Sequence, residues 1–183
     1  NIEVNSFDTV LIVGGGPVGL GGVINAKYRG AKVIMVEPVE YRQEKAKELG
    51  ADLVLDPDDE EVESKIMDFT DSLGVDASMD CAGKVKAQRL CLNVTRRRGT
   101  VALIGECSEE LKIKASPDFI RTGITLMGQW HYNLNGIQKI MQVIKESPVI
   151  DKLITHVFPM NKIQKALELD STHKTGKIIL KPW

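Results

Sequence analysis

Residues 9–20 read TVLIVGGGPVGL, and this stretch decides the fold. The apolar run Thr9–Val13 is closed by glycines, which predicts a short strand buried on both faces. Pro17 suits the first turn of a helix and Gly30 suits its end, so the sequence predicts a helix over Pro17–Arg29. A buried strand, a tight glycine turn and a helix together indicate the opening of a βαβ unit.

Short apolar runs and amphipathic stretches continue to alternate along the chain. Further strands are predicted at Lys32–Val36, Asp52–Leu55, Val75–Asp80, Thr100–Ile104 and Ile124–Trp130. Further helices are predicted at Tyr41–Leu49, Asp58–Leu73, Lys84–Arg97 and Leu134–Lys145. Because parallel strands need helical crossovers, the pattern predicts a doubly wound α/β fold with a six-stranded parallel sheet over residues 1–150. Residues 151–183 are predicted to form a C-terminal segment with one helix, Asn161–Leu169, and one strand, Lys177–Leu180. Two possibilities are open for this segment: a seventh element of the sheet, or a part that packs on a neighbouring domain absent from the chain.

Composition excludes several classes of protein. The 183 residues carry 24 Lys and Arg against 25 Asp and Glu, a net charge of -1, which argues against a nucleic-acid binder or a polybasic membrane module. No apolar run approaches the roughly 20 residues of a membrane span. The cysteines, Cys81, Cys91 and Cys107, lack CxxC spacing, so we expect neither a disulfide scaffold nor a cysteine zinc site, and a reducing, cytoplasmic location.

The glycine-rich turn predicts a dinucleotide site. Gly14, Gly16 and Gly19 match G-x-G-x-x-G directly after a strand. Gly14 permits the tight turn, Gly16 allows the backbone to approach a pyrophosphate, and Gly19 allows the helix to pack closely on the strand. The helix then begins at Pro17 and Val18, where unpaired N–H groups favour phosphate. Together these features predict a Rossmann fold.

An acidic residue indicates which dinucleotide is bound. Glu37 ends the second predicted strand, eighteen residues after Gly19, where a carboxylate can accept both ribose hydroxyls of an adenosine. The same carboxylate would repel a 2′-phosphate, so NAD is favoured over NADP. Arg42 is a candidate to flank the adenine, although a solvated helix position explains it equally well.

The opening resembles two families. It is similar to the FAD-binding start of flavoprotein oxidoreductases, but the late Gly-Asp-Ala segment of that family does not occur in the chain. It also resembles the cofactor domain of medium-chain, zinc-type alcohol dehydrogenases, and further segments match that family in order: AKELGADLVLDP (46–57), GVDASMDCAG (74–83), RRRGTVALIGE (96–106), ITLMGQW (124–130) and the ending from residue 152. The resemblance covers residues 9–182 and is strongest toward sorbitol and threonine dehydrogenases.

The resemblance implies further cofactor contacts. The loop after the fourth strand would flank the adenine, the end of the fifth strand would approach the nicotinamide, the turn after the sixth would hold its carboxamide, and a late lysine would reach the pyrophosphate. In this chain the residues that would flank the adenine are Cys81, Ala82 and Gly83. Those that would approach the nicotinamide are Ile104, Gly105 and Glu106, and those that would hold its carboxamide are Gln129 and His131. The late lysine is Lys177.

The resemblance also implies a function for the longer protein. We expect an NAD(H)-binding domain of a zinc-dependent alcohol or polyol dehydrogenase, acting on an alcohol or polyol substrate. The zinc ligands of that family lie in an N-terminal catalytic domain, and its Gly-His-Glu segment does not occur here. We therefore expect a piece excised from a longer chain, as its start at Asn1 also suggests, with no catalytic or metal-binding residue of its own and no activity alone.

Two further expectations concern partners and rival functions. The C-terminal segment would return toward the missing catalytic domain, and the edge strand Ile124–Trp130 would pair two copies into a homodimer or tetramer. The alternatives are an FAD-binding fragment of a flavoprotein and a nucleotide-sensing module without chemistry of its own.

Overall fold

A computed structural model of the chain describes residues 2–130 and 134–183. The strands are β1 Thr9–Val13, β2 Lys32–Val36, β3 Leu53–Leu55, β4 Val75–Asp80, β5 Thr95–Leu103, β6 Thr125–Gly128, β7 Ile154–Pro159 and β8 Lys177–Lys181. The α-helices are α1 Pro17–Tyr28, α2 Glu40–Glu48, α3 Val62–Phe69, α4 Val85–Val94, α5 Ile137–Glu146 and α6 Ile163–Asp170.

Six strands form one parallel sheet. Their order is β3-β2-β1-β4-β5-β6. From β1 at the centre, the chain adds β2 and β3 toward one edge of the sheet, returns to the centre at β4, and adds β5 and β6 toward the other edge. This confirms the predicted doubly wound fold. The strand order reverses between β1 and β4, and ligands of such sheets bind beyond the carboxyl ends of the strands at that point.

Helices cover both faces of the sheet. On one face, Leu20, Val23 and Ile24 of α1 are fully buried against side chains of β1 and β2. On the other, α3 and α4 pack Ile66 and Leu90 onto the alternate side chains of the same strands. β1 and β2 are continuous apolar runs because neither of their faces meets water.

Two predicted helices are too long. The fourth was expected to reach Arg97, but α4 ends at Val94 and β5 begins at Thr95. Arg96 bonds Asp76 through its Nε atom at 2.6 Å, and the Arg98 amide donates to the Thr122 carbonyl at 2.9 Å, so tertiary partners draw this basic run out of the helix. The run is irregular, because Arg98 has φ +61° and the register between β4 and β5 shifts here. The third helix was expected over Asp58–Leu73 but spans Val62–Phe69. A π-helical turn at Ala115–Ile120 was not predicted.

The C-terminal segment contains a strand that the sequence did not predict. β7 pairs in parallel with β8 to form a second, two-stranded sheet. The segment contacts helix α2, because the Nε atom of Arg42 in that helix donates to the Thr175 carbonyl at 3.3 Å. Whether residues 151–183 form a separate domain stays a prediction, as does pairing of two copies through β6, which lies at one edge of the sheet.

Helix α5 leaves part of the sheet uncovered. None of its residues is buried, although the Tyr28 hydroxyl of α1 donates to the Glu146 carboxylate of α5. A cleft of about 790 Å³ is lined by α1, α5 and the second half of the sheet. Gly21 and Ile24 line one side of this cleft, Met127 its floor, and Ile140 and Ile144 the other side. Among the described residues, no helix has both the length and the apolar character needed to cross a bilayer.

Two glycines of α1 provide a matched test of the packing. A side chain at Gly19 would overlap the carbonyl oxygen of Gly14, whereas one at Gly21 would meet no atom within 4 Å. We therefore expect Gly19→Ala to lower the free energy of unfolding by about 2–3 kcal/mol. Gly21→Ala should raise it by roughly 0.5–1 kcal/mol, because only the chain entropy changes. Urea unfolding of both variants checks this, and equal effects would contradict the packing described.

Candidate cofactor-binding site

Three loops meet at the carboxyl edge of the sheet. They are the glycine loop (residues 14–19) after β1, the β4 loop (residues 81–83) and the β5 loop (residues 104–106). Backbone bonds continue the sheet into them, because the Cys81 amide donates to the Val13 carbonyl at 2.8 Å and the amides of Ile104 and Gly105 both donate to the Asp80 carbonyl at 2.9 Å. The loops are therefore held in register with the strands.

Glycines let the loops touch backbone to backbone. Gly14 has φ +103°, and a Cβ there would lie 2.8 Å from the Ala82 amide nitrogen. A side chain on Gly83, at φ +63°, would overlap the Glu106 carbonyl oxygen, and one on Gly105 would overlap the Gly83 amide nitrogen. Since no larger residue fits these contacts, the three loops form one continuous backbone surface.

The glycine loop leaves the start of α1 open. Gly16 is the N-cap residue, Pro17 follows, and no side chain caps the helix or places an acid in its first turn. A Cβ on Gly16 would meet nothing within 4 Å, and Val18 is 57% exposed. The positive end of the helix therefore has both the room and the N–H groups to receive a phosphate. Contact of Gly14, Gly16 and Gly19 with a pyrophosphate stays a prediction.

Glu37 lies beside the glycine loop, at the end of β2. It is only 3% exposed. Its Oε2 atom accepts the Gly15 amide at 2.5 Å, and its Oε1 atom accepts the Val39 amide at 3.0 Å. The carboxylate therefore joins the end of β2 to the glycine loop, a contact that sequence reasoning missed. Each of its oxygens keeps a second lone pair, so the carboxylate can still accept a ribose hydroxyl.

The other predicted residues are distributed around this edge. Ala82 and Glu106 are exposed next to the glycine contacts, and the Gln129 amide donates to the Leu103 carbonyl at 2.9 Å, which places Gln129 beside the β5 loop. Lys177 heads β8 and is exposed, next to Gly176, where a Cβ would lie 3.6 Å from Leu20 of α1. Arg42 is directed to the C-terminal segment through its bond to Thr175. His131 lies outside the described residues.

Cys81 and Cys91 are not reactive thiols. Burial, reinforced by the nearby Asp80 carboxylate, raises the pKa of the Cys81 thiol to about 12. Burial also raises the pKa of the Cys91 thiol to about 12. Only the thiolate is nucleophilic, so neither side chain can act as a nucleophile near neutral pH.

Asp80 is a further residue of this site that the sequence analysis did not single out. It ends β4, is fully buried, and its Oδ1 atom accepts the amides of Ala82 at 2.9 Å and Gly83 at 3.0 Å. An aspartate followed closely by glycine at the end of a strand is a recognisable side-chain-capped turn, so the signal was present in DCAG (residues 80–83).

Comparison with known proteins identifies the family of this chain. The sequence profile of the zinc-binding dehydrogenases matches residues 17–146. The chain belongs to this family. L-Threonine 3-dehydrogenase of Pyrococcus horikoshii is 35% identical over 180 residues, which cover 95% of this chain and 51% of that protein. Sorbitol dehydrogenase of Bombyx mori is 33% identical over 177 residues, covering 93% and 50%.

A solved structure gives the same result. An alcohol dehydrogenase from Thermotoga maritima superposes with a TM-score of 0.89 at 31% identity, covering 96% of this chain and 50% of that one. The predicted resemblance is confirmed, and the flavoprotein alternative finds no support. The chain spans about half the length of the relatives it matches.

The described residues do not supply a zinc site, despite the family name. Within residues 2–130 and 134–183, no three His, Cys, Asp or Glu side chains come together as metal ligands would.

Thiol titration tests the cysteine environments. Cys81 and Cys107 are both partly exposed and Cys91 is buried, so the raised pKa is what distinguishes Cys81 from Cys107. With a pKa of about 12, Cys81 and Cys91 are thiolates in only roughly one part in 10⁴ at pH 8, and a chromogenic disulfide reagent should modify Cys107 alone. Denaturant should release the other two thiols. Cys107→Ser should abolish the reaction of the folded chain, and a second thiol reacting at the same rate without denaturant would contradict this account.

Proposed function

We propose that this chain binds NAD(H) across the three loops, as the cofactor-binding part of an alcohol or polyol dehydrogenase. The observation that carries the proposal is the open, uncapped start of α1 at Gly16, next to a buried carboxylate at the end of β2. A dinucleotide needs an anion site and a ribose acceptor at this separation along a βαβ unit.

Each part of the site has its own task. The glycine loop and the first turn of α1 would receive the pyrophosphate through backbone N–H groups. Glu37 would accept hydrogen bonds from the adenosine ribose, and its charge would disfavour a 2′-phosphate by about 1 kcal/mol per charge pair even in water. The β4 loop would border the adenosine half, and the β5 loop and Gln129 the nicotinamide half. By the family resemblance, His131 would help to hold the nicotinamide carboxamide and Lys177 would reach the pyrophosphate.

When bound, the nicotinamide supplies the hydride chemistry of such enzymes. The residues of this chain would bind and orient it, because the β4 and β5 loops pack closely against each other, backbone on backbone. The family resemblance supports oxidation of an alcohol or polyol by the whole protein. The relatives that support it are a threonine and a sorbitol dehydrogenase, each about twice the length of the matched region.

Titration of the purified chain with NADH, NADPH and FAD tests the proposal. We expect NADH to bind most tightly. Glu37→Ala should raise the Kd for NADH by about tenfold or more, equivalent to about 1.4 kcal/mol. It should also bring the Kd values for NADH and NADPH closer together. Glu40→Ala is the matched control, because Glu40 is an exposed acid in the first turn of α2 and should change neither value.

The outcomes are distinct. Circular dichroism and thermal unfolding must show that the Glu37 variant is folded, because it also loses the bond to Gly15. Tighter binding of FAD or NADPH than of NADH by the unaltered chain would contradict the proposal. A Glu37 variant that is folded and binds NADH normally would remove its assigned role in ribose binding.

A further inference from the structure

Asp80, at the carboxyl edge of the sheet, is hydrogen-bonded to two of the three loops. Its carboxylate accepts two amides of the β4 loop, and its main-chain carbonyl accepts two amides of the β5 loop, Ile104 and Gly105. One residue therefore holds both loops by hydrogen bonds.

The loops pack too closely to adjust if the Asp80 carboxylate is removed. Gly83, whose amide Asp80 holds at 3.0 Å, packs so closely on the β5 loop that neither it nor Gly105 has room for a Cβ. Ala82, whose amide Asp80 holds at 2.9 Å, lies against Gly14. A displacement of the β4 loop would therefore be transmitted to the β5 loop on one side and to the glycine loop on the other.

The two oxygens of the carboxylate differ in their surroundings. Oδ1 accepts both amides, whereas Oδ2 is buried and has no hydrogen-bond partner among residues 2–130 and 134–183. A buried carboxylate with an unpaired oxygen is unfavourable for stability. The structural contribution of Asp80 therefore comes from the position of one acceptor atom and not from a compensated charge.

We propose that Asp80 is the positioning residue of the dinucleotide site, whose Oδ1 atom sets the β4 loop against the β5 and glycine loops. The inference rests on the proposed function for its effect on NADH, but the effect on the loops does not depend on it. Asp80 acts through the backbone that it holds and is not itself a cofactor contact.

Two substitutions separate the acceptor from the charge. Asp80→Asn keeps an oxygen for the two amides and removes the charge, whereas Asp80→Ala removes both. The matched control is Ser78→Ala, two residues earlier on β4, because the buried Ser78 hydroxyl bonds Thr95 and the Cys91 carbonyl and touches neither loop.

Amide hydrogen exchange and NADH titration give independent readouts. In Asp80→Ala, the amides of Ala82 and Gly83 should exchange about tenfold faster or more, and the Kd for NADH should rise by about tenfold or more. Asp80→Asn should restore both values to within roughly threefold of the unaltered chain. Ser78→Ala should lower the melting temperature while leaving the Ala82 and Gly83 exchange and the NADH affinity unchanged.

Each result decides the proposal. If Asp80→Ala behaves like Ser78→Ala, the residue serves stability only and the proposal is wrong. If Asp80→Asn loses affinity together with Asp80→Ala, the charge matters and the acceptor assignment is wrong. Should Asp80→Ala not fold, Gly83→Ala disturbs the same loop contact from its other side, and normal NADH affinity in that variant would overturn the proposal. If the unaltered chain binds no NADH, the proposed function fails, and exchange at Ala82 and Gly83 alone then decides whether Asp80 holds the loop.

Discussion

The close approach of three backbones at the carboxyl edge of the sheet is the constraint on which the site depends. Gly14 lies against Ala82, and Gly83 lies against the β5 loop, with no space for a side chain at either contact. The first contact joins residues 68 apart in the sequence and the second joins residues 22 and 23 apart, and the pairing of β1, β4 and β5 in the parallel sheet fixes their relative positions. Main-chain atoms make these contacts between the loops, and main-chain N–H groups suit recognition of the phosphate groups common to all dinucleotides.

Two buried carboxylates organise this main-chain surface. Glu37 accepts the Gly15 amide from the end of β2, and Asp80 accepts two amides from the end of β4. Each acid thus supplies acceptor atoms that tie the backbone of a loop to the end of a strand. The start of α1 lies between them without a capping side chain, and an anion placed there completes the hydrogen bonding of the helix.

The sequence predicts those parts of the structure that depend on local pattern. The bounds of β1 and β2 agree with their apolar runs, because strands covered on both faces are largely apolar. The bounds of β4 were also predicted, although its sequence, VDASMD, mixes apolar and polar residues. β7 escaped prediction because Ile154–Pro159 is partly exposed, contains a proline and pairs only with distant β8. The bond from Glu37 to Gly15 and the cleft beside α5 depend on how separate elements pack, which periodicity does not encode. Asp80 is different, since its turn has a local signature that residue-level reading can use in related sequences.

The proposed dinucleotide site lies across these three loops and not against Gly21, Ile140 and Ile144 in the cleft between α1 and α5. Amide chemical shifts recorded by NMR during titration with NADH test it most directly. The account predicts that the largest shifts fall on Gly14–Gly19, on Ala82 and Gly83, and on Gly105, while Gly21, Ile140 and Ile144 in the cleft change little. Largest shifts at the cleft residues, with the loop amides unmoved at saturating NADH, would contradict it.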